Sequence, residues 1–132
     1  MGFIKKKRKH GYFGAGVFDV VDTVDNSFID YEVSWIKFRR GTLILMNKGE
    51  NIAIMVRKLL EKAKGTPIKK LRFHGHGFPG YQGIAVGNKY SSNPLVAISD
   101  KHFCTISPML KLLTDKFDGN ASVDLLRSVP QE

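Results

Sequence analysis

A strand–helix–strand pattern over residues 42–74 restricts most strongly how this chain can fold. Thr42 to Met46 reads TLILM, a continuous apolar run that is typical of a central strand covered on both faces. From Ile52 to Lys64 the apolar residues recur on one helical face, and Gly65 and Pro67 then end the helix. Lys70 to His74 alternates polar and apolar residues as a second strand. Such a βαβ unit predicts two parallel strands.

Further elements on both sides of this unit complete the predicted fold. Val17 to Thr23 is rich in β-branched residues and Ile29 to Trp35 alternates cleanly, which predicts an antiparallel hairpin. A helix from Pro108 to Phe117, capped by Ser107, and a buried strand from Ala121 to Leu126 are expected after the unit. The sequence therefore predicts an α/β three-layer sandwich. Its mainly parallel central sheet would comprise residues 42–46, 70–74 and 121–126, with the N-terminal hairpin at one side.

The length of 132 residues predicts a single domain. With 42% hydrophobic residues the chain can bury one core, and neither a linker nor an internal repeat divides it. We expect a basic, flexible tail over residues 1–10 and one α/β domain over residues 11–132. No apolar run is long enough to cross a bilayer, so we predict no membrane contact and a cytoplasmic location.

An excess of positive charge is concentrated near the N-terminus. The chain holds 21 Lys and Arg against 12 Asp and Glu, a formal net charge of +9. The KKKRK run could bind phosphates, and it resembles a nuclear import signal, so a nuclear location is open if the source is eukaryotic. The favoured interpretation is a solvated tail. The candidate nucleic-acid contacts are Lys5, Lys6, Lys7, Arg8, Lys9, Arg39, Arg40, Lys69 and Lys70.

Two histidines stand where the second strand meets a glycine-rich loop. The run LRFHGHGFPG carries His74 and His76, each followed by glycine, which lets a ligand or a substrate backbone come close. The two imidazoles could share a metal ion, but no third ligand follows at a recognised spacing, so neither metal nor cofactor is predicted. A purely structural role, bridging loop amides, is also open. No G-x-S-x-G elbow follows, which excludes an α/β-hydrolase.

The strand ending in Gly-His-Gly, with a βα unit before it and a helix and an apolar strand after it, resembles the caspase-hemoglobinase fold of cysteine peptidases. Caspases, metacaspases, legumain, gingipain and separase share this arrangement. The resemblance covers residues 42–126 and implies that His76 is the catalytic histidine, with His74 as its upstream neighbour. It also implies an oxyanion loop that includes Gly75 and Gly77.

The chain departs from the family at the nucleophile. The family places its cysteine just after the next long apolar strand, where this chain has Arg127 and Ser128 after ASVDLL. Ser128 is a candidate, but a hydroxyl has a much higher pKa than a thiol and needs a well-oriented base. The single cysteine, Cys104, excludes an internal disulfide and precedes the predicted helix. It is a second candidate because loops at one sheet edge converge, although a lone cysteine beside Phe103 is typical of a buried apolar residue.

Two functions follow as hypotheses. The first is a caspase-like, peptidase-related domain that is proteolytically incomplete, with the histidine half of a Cys/His dyad present and the cysteine half missing. If it were active, it would be a cysteine-type endopeptidase, and in either state we expect a peptide or protein partner. The second is a small basic α/β module that contacts nucleic acid, with His74 and His76 lining a phosphate or metal site. A last strand left open at the sheet edge also predicts a homodimer.

Overall fold

The described chain alternates strands and helices around a parallel sheet. The computed structural model describes residues 15–24, 42–87 and 89–127. Within these residues the strands are β1 (Val17–Asp22), β2 (Thr42–Met46), β3 (Ile68–Gly75), β4 (Gly77–Phe78), β5 (Tyr81–Gly83), β6 (Ala97–Ser99) and β7 (Phe117–Arg127). The α-helices are α1 (Ile52–Lys62) and α2 (Phe103–Leu110), with 3₁₀-helical segments at Asp100–His102 and Lys111–Lys116. None of the helices in these ranges is long and apolar enough to span a membrane.

Four parallel strands form the main sheet of the described residues, in the order β2-β1-β3-β7. All three pairs of neighbours run parallel, so the carboxyl ends of the four strands lie along one edge, which we call the carboxyl edge. A second sheet, β4-β5-β6, is antiparallel and follows β3 directly in the chain. The predicted α/β class and the mainly parallel sheet are therefore confirmed.

The first strand does not lie where the sequence predicted it. Val17 to Thr23 was expected in a hairpin at the side of the sheet, whereas β1 lies between β2 and β3 and pairs parallel with both. Both edges of β1 are therefore occupied by described strands, and the predicted second arm, Ile29 to Trp35, lies outside the described residues. The run TLILM, expected at the centre, forms β2 at one end of the described sheet, and its Leu45 is exposed.

Helix α1 covers one face of the main sheet and closes the core. The sequence predicted this helix from the spacing of its apolar residues, and the structure confirms it with an end two residues earlier, at Lys62. The buried side chains that α1 contributes lie on one helical face. The core includes Phe18, Val20, Ile44, Met46, Ile52, Met55, Val56, Leu59, Leu71 and Phe73, together with Ile106 and Leu113.

Asn51 caps the N-terminus of α1, and its replacement tests how far the cap stabilises the domain. The side-chain oxygen of Asn51 accepts a hydrogen bond from the Ile54 N–H at 3.1 Å. We expect Asn51→Ala to lower the free energy of unfolding by about 1 kcal/mol, because that N–H loses its partner. Asn51→Asp keeps the acceptor and serves as the control in urea denaturation. Equal losses in the two variants would contradict the capping role.

The second helix begins earlier than the sequence predicted. The expected helix ran from Pro108 to Phe117, but α2 starts at Phe103 and contains Pro108 in its interior. A proline removes one hydrogen bond of a helix, and the chain continues beyond Leu110 in 3₁₀ rather than α geometry. Cys104 therefore lies within the first turn of α2 and is exposed, so its interpretation as a buried residue before the helix is wrong.

The last strand was predicted to be buried, and this is also wrong. Strand β7 is longer than the predicted Ala121 to Leu126, and its Val123 and Leu125 are exposed. Within the part of the chain that the structure describes, β7 pairs with β3 alone. Its outer edge is thus the strand edge that the predicted homodimer would use, and the homodimer stays a prediction.

Candidate functional site

His76 lies directly after β3, at the carboxyl edge of the main sheet. It is the one residue between the end of β3 at Gly75 and the start of β4 at Gly77, so it joins the two sheets. Its side chain is half-buried, and its Nδ1 atom is buried without a hydrogen-bond partner among the described residues. Buried polar atoms without partners are rare, since each costs about 1–3 kcal/mol, and a catalytic role is one explanation for such an atom.

Glycines let a loop pack tightly against the backbone of His76. A Cβ atom added to Gly75 would lie 3.1 Å from the carbonyl oxygen of Gly83. One added to Gly83 would lie 2.6 Å from the Val86 Cγ2 atom, closer than van der Waals contact allows. The Gly83 N–H donates to the His76 carbonyl oxygen at 3.0 Å. Gly77 pairs with Gln82 across the hairpin, and the oxyanion role of Gly75 and Gly77 stays a prediction.

Asp22, the last residue of β1, anchors the same loop. Its Oδ2 atom accepts hydrogen bonds from the N–H groups of Val86 at 2.9 Å and Gly87 at 3.0 Å. Its Oδ1 atom accepts one from the Val24 N–H at 2.9 Å, and the side chain is buried. Hydrogen bonds from amides to a carboxylate are stronger than those to a neutral acceptor. Asp22 thereby fixes the loop that lies against His76, a role that the sequence analysis missed.

His74 lies in a buried ionic network formed between β1 and β3. Its Nε2 atom is 2.6 Å from Oδ1 of Asp19, and Arg72 donates to both oxygens of that carboxylate, at 2.7 and 3.0 Å. All three side chains are buried. Burial alone raises the pKa of the Asp19 carboxyl, but its hydrogen bonds with His74 and Arg72 and the positive charge of Arg72 hold it below its ordinary value. The ring of His74 already contacts Asp19. Its predicted role in binding a ligand stays a prediction.

Within the described residues, no hydrogen bond joins the other predicted site residues to His76. Cys104 is exposed on α2, and no hydrogen bond links its thiol to His76 there. Ser128 lies outside the described residues, one position after Arg127, which is opposite Gly75 in the register of β3 and β7. The basic positions 5–9, 39 and 40 also lie outside them. Lys69 is exposed, and Lys70 forms a 3.3 Å ion pair with Asp124.

The described residues include no group of three or more His, Cys, Asp or Glu side chains that could hold a metal ion. Comparison with protein-family models, with curated proteins and with solved structures finds no match to this chain. The fold and the site therefore define a class of protein, namely an α/β protein with a histidine at the carboxyl edge of a parallel sheet.

Proposed function

We propose that the chain is a caspase-like, peptidase-related domain that carries the histidine half of a Cys/His dyad and is not proteolytic as it stands. The observation that carries this proposal is the position of His76, directly after β3 and beside the carboxyl end of β7. In the family that the sequence resembles, the histidine follows one strand and the nucleophile follows the next long strand. β3 and β7 are such a pair, since they are neighbours and run parallel.

The register of β3 and β7 supports the proposal that His76 and the residue after β7 belong to one site. Gly75 is opposite Arg127, so His76 and Ser128 each follow the last paired residue of their strand. Neighbouring strands lie about 4.8 Å apart, which is within reach of an imidazole and a small side chain on adjacent strand ends. The proposal is that a thiol following β7 in the chain would have His76 as its base, as a Cys/His dyad requires.

The surroundings of His76 support the part of the proposal that says that a serine beside it does not hydrolyse peptides. A hydroxyl nucleophile needs a base whose ring is oriented by a third group, usually through the other ring nitrogen. The Nδ1 atom of His76 has no such partner among the described residues, and the nearby Asp22 carboxylate accepts backbone N–H groups instead. A thiol ionises far more easily and depends less on such orientation.

The proposal predicts that a thiol installed at position 128 is activated by His76. In a Cys104→Ala background, Ser128→Cys should react with iodoacetamide at about pH 6.5 roughly tenfold faster or more than the same protein with His76→Ala, because an ordinary thiol is about 1% ionised there. Mass spectrometry measures the labelling rate at the single thiol. The chain with its natural residues should hydrolyse none of a panel of fluorogenic peptides.

A second histidine serves as the matched control for this experiment. His102 is half-buried just before α2, so His102→Ala should leave the labelling rate unchanged. Equal rates with and without His76 would overturn the dyad. Peptide hydrolysis by the natural chain would overturn the proposal that the Cys/His dyad is incomplete. Loss of that hydrolysis in Cys104→Ala would identify Cys104 as the nucleophile.

A further inference from the structure

We draw no further inference here: the strongest candidate, the surface patch that Phe78 and Tyr90 form on the buried ring of Tyr81 beside the turn between β4 and β5, carries none because nothing in the structure shows what covers it.

Discussion

Replacing Asp19 by alanine is expected to lower the free energy of unfolding by about 3–5 kcal/mol, the cost of removing one partner from a buried ion pair. The Asp19 carboxylate receives two hydrogen bonds from Arg72 and contacts His74, and none of these groups reaches solvent appreciably. Without the carboxylate, the Arg72 guanidinium stays buried with its counter-charge removed. The large effect comes from that uncompensated charge rather than from the lost bonds alone.

Urea denaturation at about pH 7 measures this loss, and two further variants identify its cause. Asp118→Ala removes a half-buried carboxylate that accepts one hydrogen bond, from the Asn120 N–H at 2.9 Å, and should cost about 1 kcal/mol or less. Asp19→Leu combined with Arg72→Met removes both charges and should recover part of the stability. A double variant less stable than Asp19→Ala would contradict the argument from an unpaired charge.

The lowered pKa of Asp19 also predicts how stability depends on pH. A carboxyl whose pKa is lower in the folded than in the unfolded state binds fewer protons when folded. Its stabilisation is fully present above the unfolded value of about 3.9 and is lost as the pH falls through the lower, folded value. As the pH falls below about 3.9 toward the folded value, the free energy of unfolding should therefore fall more steeply for the natural chain than for Asp19→Asn. Parallel curves would contradict this assignment.

The sequence predicted those parts of the fold whose signals are local. The apolar spacing of α1 and the glycine and proline after it lie within one segment, so the helix was predicted nearly to its end. Strand β1 was misplaced because the clean alternation of Ile29 to Trp35 predicted a hairpin partner for it, whereas Asp19 and Asp22 have their bonds elsewhere. Their partners are distant in sequence: Arg72 lies 53 positions from Asp19, and Val86 lies 64 from Asp22. No pattern within VFDVVD reveals such pairing.

For the candidate site too, the residue with a local signal was predicted and the residues whose contacts depend on the fold were missed. His76 was predicted from the strand and the Gly-His-Gly run that contain it, and the structure has it at the end of that strand. Asp22 was missed, although a carboxylate that ends an apolar strand is a usable signal: at the carboxyl edge of a parallel sheet such a residue faces converging loops. The stacked Phe78 and Tyr81 were also missed, because stacking depends on the turn between them.

Replacing Asp22 by alanine is the second large effect that we expect, about 3–5 kcal/mol in the free energy of unfolding. The carboxylate accepts hydrogen bonds from the N–H groups of Val24, Val86 and Gly87. Each of these N–H groups that stays buried without an acceptor costs about 1–3 kcal/mol. The loss should be concentrated in the loop that lies against His76. Amide hydrogen exchange at Val86 and Gly87 should therefore accelerate more than exchange in α1.

The variant Asp22→Asn distinguishes the contribution of the hydrogen bonds from that of side-chain packing at this position. The amide keeps one acceptor oxygen at nearly unchanged volume, so it should retain part of the stability and only some of the protection at Val86 and Gly87. Because the loop is also bonded to the His76 carbonyl oxygen, Asp22→Ala should slow the labelling of Ser128→Cys, and Asp22→Asn should slow it less. A destabilised Asp22→Ala protein with the full labelling rate would mean that His76 is positioned by β3 alone. Graded losses in both measurements would make Asp22 a positioning residue of the site.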